Sequence, residues 1–137
     1  MIQVLSLTNS ISQSPLSGQA LTFDTVLIDS GCAECFQKDT GVPQLVMRNA
    51  MYEIDFTCNV TASAEGLVEA ALAINGTAIQ YSLMQTTIAA ADNVAMISRK
   101  IRVRTCCCPE SISVLNMSAS TVTPSFSEPV LNIKRVA

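Results

Sequence analysis

From Met51 to Val60 the chain alternates apolar and polar residues without a slip. Tyr52, Ile54, Phe56, Cys58 and Val60 fall on one side, and Glu53, Asp55, Thr57 and Asn59 on the other. Successive side chains leave a pleated backbone on opposite faces, so this period of two marks a strand with one buried face. Similar patterning returns at 72–79, 112–118 and 131–136. A chain written this way folds as a stack of half-buried strands and not as a helical bundle.

The punctuation agrees with that reading. Asn75-Gly76 stands between the apolar runs Val68/Ala70/Leu72/Ile74 and Ile79/Tyr81/Leu83. Asn-Gly tolerates the positive φ values that a two-residue type I′ hairpin requires. Residues 9–18 form a polar loop punctuated by Pro15 and Gly18; 89–93 and 107–110 are further loops, and Pro124 and Pro129 bracket the last one. Alanine and glutamate make a helix the competitor at 62–74, but Val68, Ile74 and the adjacent Asn-Gly favour a strand. The sequence predicts ten strands, at 2–8, 20–28, 34–37 (weakly), 43–48, 51–62, 66–74, 77–85, 93–105, 111–117 and 129–136. Short strands separated by turns every 8–12 residues specify an antiparallel sandwich or jelly roll.

Length and composition narrow the possibilities. At 137 residues, residues 1–137 make one domain, long enough to bury roughly 70% of its unfolded surface without staples. Hydrophobic residues are 49% of the chain and charged residues only 14%, an apolar surplus that points to burial against partner subunits. A net charge of −3 argues against nucleic acid as a partner. There is no histidine, which removes Ser-His, Cys-His and His-metal chemistry and with it the cupin reading of this architecture; no enzymatic activity is expected. No stretch is long and apolar enough to span a membrane. Met1 leads directly into the strand-like Ile2–Leu7 run with no basic start, so synthesis in a cytoplasm is the expectation.

Several stretches together resemble a known family. Ala50-Met-Tyr52-Glu-Ile54-Asp-Phe56 resembles the central-strand segment of the TNF/complement-globular-head jelly roll, with Ala50 where that family usually has glycine. Leu72-x-x-Asn75-Gly76, Val114-x-Asn116-x-Ser118 and the terminal Leu131-x-Ile133-x-Arg135 follow in the family's order, over about residues 20 to 136. The similarity is to the bacterial and bacteriophage branch, which includes spore-surface collagen-like heads. The resemblance implies an all-β, ten-stranded antiparallel jelly-roll sandwich assembled as a homotrimer. It names no ligand, because such folds host many functions.

Of the six cysteines, Cys32-Ala-Glu-Cys35 and Cys106-Cys107-Cys108 hold five in two predicted loops. Three readings stay open: structural thiols, disulfides between the loops or between subunits, and a four-thiolate zinc site. The zinc site would use Cys32, Cys35 and two of Cys106, Cys107 and Cys108, in the first place Cys106 and Cys108. Adjacent residues of an extended chain point apart, which suits that second half poorly. Glu34 beside the Cys-x-x-Cys thiols works against the lowered pKa that redox catalysis needs. Cys58 alternates with core residues and reads as a small hydrophobe.

Half of the eight cations lie in Arg99-Lys-Ile-Arg-Val-Arg104. Lys100, Arg102 and Arg104 share one strand face. They make an anion or glycan patch, or else a solvated outer sheet face with Arg99 in an intersubunit ion pair; the second reading is favoured. Glu53 and Asp55 read as the solvent side of their strand, and Asp92-Asn93 and Asp39-Thr-Gly41 as turns, not calcium loops. Asn59, Asn75 and Asn116 open formal glycosylation sequons that read as coincidental. The expected protein has no cofactor. Its partners are its own copies and other virion or surface proteins, with glycan as a further one. The leading expectation is a bacteriophage capsid-decoration, head-fibre or tail-associated protein in the virion. The alternatives are a glycan-binding adhesin head on a bacterial cell or spore surface and, more weakly, a secreted ligand-like domain.

Overall fold

The structure, a computed structural model, describes residues 3–29, 34–37, 42–45, 50–105 and 110–136. Among these it contains eleven strands and one 3-10 turn. The strands are β1 (Gln3–Thr8), β2 (Thr25–Asp29), β3 (Glu34–Gln37), β4 (Val42–Leu45), β5 (Met51–Ala62), β6 (Gly66–Ile74), β7 (Thr77–Ala78), β8 (Met84–Ile88), β9 (Ala95–Arg104), β10 (Glu110–Asn116) and β11 (Pro124–Arg135). The first sheet has the order β2-β1-β11-β5-β9 and the second β3-β4-β10-β6-β7, with β8 also paired to β6. Each pairing is antiparallel.

The core lies between the sheets. Strand β5 contributes Tyr52, Ile54, Phe56, Cys58 and Val60, and β11 contributes Phe126, Leu131 and Ile133, all at most 1% exposed. Strands β6 and β10 answer from the other sheet with Val68, Leu72, Ile112 and Val114, each fully buried. Burying a side chain of this size contributes roughly 1.5–3 kcal/mol. Cys58 sits among them as alternation requires, and burial pushes its thiol up to about 12.

The Asn75-Gly76 hairpin forms as predicted. Both residues have positive φ, 51° and 82°, and Ile74 pairs with Thr77 directly across the turn. The Asn75 side chain also accepts the Ser111 backbone N–H at 2.9 Å, tying the turn to β10.

Three predicted strands are corrected. The run at 77–85 is not continuous: after β7, a 3-10 turn over Gln80–Ser82 interrupts it before β8 resumes pairing with β6. The cause is Ser82, a fully buried residue whose hydroxyl accepts the Leu72 N–H at 3.0 Å and lies within bonding distance of the Leu72 and Ile79 carbonyls. A side chain thus occupies a place that the ladder would give to backbone. Tyr81 and Leu83, expected to alternate into a strand, are 58% and 40% exposed.

The run at 20–28 divides between sheets. Ala20 bridges Leu115 beside β10, and only from Thr25 does the chain pair with β1. The last strand starts earlier than expected, at Pro124. Its register against β5 shifts between Ser127 and Val130, a β-bulge with Glu128 at φ 50°. Pro129 is tolerated there because a bulge interrupts the ladder and needs no donor.

Candidate functional site

The outward face of the first sheet carries the charged residues singled out in the sequence. Strand β5 turns Glu53, Asp55, Thr57 and Asn59 outward. In register, Glu53 lies between Lys134 and Arg102, and Asp55 between Asn132 and Lys100. Glu53 accepts ion pairs from Arg102 at 3.4 Å and Lys100 at 3.8 Å. The carboxylate side chain is 21% exposed, whereas the two cations are more than 60% exposed and well solvated. Exposed pairs of this kind contribute at most about 1 kcal/mol. Their effect is on the field: the positive stripe is interleaved with carboxylates, so it offers no concentrated anion site. Next to this row, Ser6 donates to the Asn132 carboxamide and extends a polar belt across β1 and β11.

Arg99 has a partner within the chain that the sequence did not announce. Its side chain donates from Nε and Nη2 to the Tyr81 carbonyl at 3.1 and 2.7 Å. It therefore links the edge of the first sheet to the 3-10 turn of the second within one chain. That bifurcated grip fits a planar guanidinium and would not be reproduced by lysine. Arg104 is exposed at the end of β9.

The five loop cysteines are not brought into view. Cys32, Cys106, Cys107 and Cys108 lie outside the described residues, as do Asp39 and Gly41, and only the backbone of Cys35 is described, in β3. Among the described residues no group of three or more histidine, cysteine, aspartate or glutamate side chains is poised to hold a metal. Also among them, no helix is long and apolar enough to cross a membrane.

Of the three sequons, Asn116 is 1% exposed, donating to the Pro15 carbonyl at 2.8 Å and accepting the Ser118 N–H at 3.0 Å. A side chain so enclosed is not a modification site. Asp92 caps the β8–β9 turn at φ 63°, its N–H donating to the Ala62 carbonyl at 2.9 Å.

Two sheets in these orders, with the C-terminal strand at the centre of one, make a comparison with solved structures decisive for the fold. The globular domain of zebrafish complement 1qA protein aligns over 96% of this chain and 94% of its own at a TM-score of 0.64 and 13% identity. Eiger TNF from S. frugiperda aligns over 99% and 93% at 0.75 and 8% identity. Murine APRIL aligns over 99% and 100% at 0.76 and 10% identity. The fold is a TNF/C1q-like jelly roll. At such identities the likeness extends to the fold alone. No protein-family model matches the chain, and no curated protein matches it.

Within this jelly roll, two surface features escaped the sequence. One is a shallow apolar hollow of about 240 Å³ on the second sheet, lined by residues that include Ala71, Ile79, Leu83 and Met117. The other is a hollow of about 310 Å³ at one end of the sandwich, between the loop after β1 and the β10–β11 turn. Its walls come from residues about a hundred positions apart, so no local pattern announces it.

Proposed function

We propose that the chain is a non-enzymatic structural and binding head that works as a homotrimer, in the setting of a bacteriophage virion as a capsid-decoration, head-fibre or tail-associated protein. The observation that carries the reading is the jelly-roll fold with β11 at the centre of the first sheet, whose outer face has no further sheet or helix of described residues packed on it. In the family that the sequence resembles, this sheet lies at the subunit contact. The apolar surplus over charge supports it, because a small domain with 14% charged residues covers a lone surface poorly. Exposed Leu27 and Ile28 on β2 and Met96 on β9 flank the polar belt at the two edges of that sheet. The absence of histidine supports a binding role over an enzymatic one.

The virion setting is tested by labelling native particles with an antibody against the folded protein and imaging them by electron microscopy. Regular labelling of a head, fibre or tail is the expected result. Labelling of bacterial cell or spore surfaces, with none on particles, replaces this setting with that of an adhesin head.

A further inference from the structure

The loop after β1 is held with unusual care for an irregular segment. Gln13 exchanges both backbone hydrogen bonds with Phe126, at 3.0 and 2.8 Å. Its side-chain amide repeats the pattern on Thr22, donating at 2.9 Å and accepting at 2.8 Å. Buried Asn116 fixes Pro15, Ser17 donates to the Ser118 carbonyl at 2.6 Å, and the Gly18 N–H donates to Asn116. On the opposite wall, Val122 packs within 3.1 Å of the position a side chain on Gly66 would take. The loop wall of the 310 Å³ hollow is therefore tied in place before any ligand arrives.

The lining has a definite chemistry. Ser14, Ser120 and Thr123 bring hydroxyls that make no hydrogen bond to any described residue. Pro15, Leu16 and Val122 bring apolar surface, and Leu16 is left 71% exposed at the rim. Among the described residues, no charged one lines the space. A charged ligand would leave its charge uncompensated there, and a wholly apolar one would strip water from hydroxyls without replacing it. A molecule that alternates hydroxyl groups with C–H faces satisfies both kinds of wall. Serine and threonine hydroxyls rotate and act as donor and acceptor alike, which suits the hydroxyls of a sugar ring. The volume stands at the low end of small-molecule sites, so one or two rings fit and a longer chain does not.

We propose that this end hollow is a binding site for a neutral saccharide unit, held by Ser14, Ser120 and Thr123 against Pro15 and Leu16. The site lies within one chain. A monomeric protein would leave it standing, and its failure would leave the trimeric-head reading standing.

Saturation-transfer NMR on the intact protein tests it with methyl glycosides of glucose, galactose and N-acetylglucosamine, beside glucuronic acid and cyclohexanol. At least one neutral glycoside is expected to receive saturation at millimolar concentrations, well above glucuronic acid and cyclohexanol. The S120A/T123V double variant is expected to bind about tenfold more weakly. Leu16→Asp, at a rim position too exposed to disturb folding, provides a second variant with the same expected loss. No transfer to any neutral glycoside, equal transfer to glucuronic acid or cyclohexanol, or undiminished binding in folded variants would each overturn the assignment.

Discussion

Strands β5 and β6 occupy comparable places in opposite sheets, yet their ladders are built differently. Strand β5 pairs with β9 without a break from Met51↔Arg104 to Val60↔Ala95, backbone to backbone throughout. Strand β6 pairs with β7 at Ala73↔Ala78 and then with β8 at Ala70↔Met84, so three steps along β6 face six along its partner. The excess is folded into the 3-10 turn, and the Ser82 hydroxyl serves the Leu72 N–H that would otherwise be orphaned. A ladder made of backbone spreads its stability over many equivalent bonds. A ladder patched by a side chain concentrates it on one residue.

The largest expected effect removes the regular ladder's second flank. Strand β11 lies between β1 and β5, and Leu131 and Ile133 are fully buried. Deleting residues 130–137 takes away pairing on both sides and two core side chains worth roughly 1.5–3 kcal/mol each, a large share of a domain's margin. The product should be insoluble or unfolded. A soluble deletion product with an unchanged melting temperature would break the comparison at its stronger end.

At the patched ladder, one atom should suffice. Ser82→Ala leaves the buried Leu72 N–H without a partner, which costs about 1–3 kcal/mol. Urea unfolding should show a lower midpoint with an unchanged slope. An outward substitution such as Thr57→Ser on β5 should change the midpoint far less. Equal effects at the two sites would contradict the distinction.

The hairpin that opens the patched region should respond next. Asn75→Ala places a Cβ-bearing residue without a compensating amide at φ 51° and removes the acceptor for Ser111. About 1–2 kcal/mol should be lost in thermal or urea unfolding. Asn75→Gly should recover part of it, because glycine accepts the positive φ.

The smallest effect sharpens the contrast from outside either ladder. Ser10 and Thr25 donate to the fully exposed Asp24 carboxylate, and these hydrogen bonds lower its pKa below 3.8. The charged form is the one favoured by folding. Its contribution is present above the ordinary value and lost as pH falls through the lowered one. The difference in melting temperature between the parent and Asp24→Asn should therefore be small at neutral pH and shrink further below pH 3.8.

The same contrast explains what could be read in advance. Strand β5 was legible because every second side chain enters a continuous core, and the I′ turn because Asn75-Gly76 satisfies its backbone locally. The start of β11 was hidden because Pro124 and Pro129 read as breakers, although one begins the strand and the other sits at a bulge. The break at Ser82 was hidden because a hydroxyl acting as backbone leaves no periodic trace. The intrachain contact of Arg99 was hidden for a related reason. Its partner, the Tyr81 carbonyl, is displayed only because the 3-10 turn exposes it. The polar belt on β5 was legible as an outer face, but its ion pairs depend on strand neighbours that only the sheet order supplies. The end hollow depends on loops joined across 101 positions and had no local signal at all.

The proposed homotrimer sets the outer face of the first sheet against other copies of this chain. Multi-angle light scattering on the purified protein, repeated on dilution, tests it directly. The account predicts a mass close to three times the 14.6 kDa of one chain, unchanged as concentration falls. A mass near 14.6 kDa would contradict it.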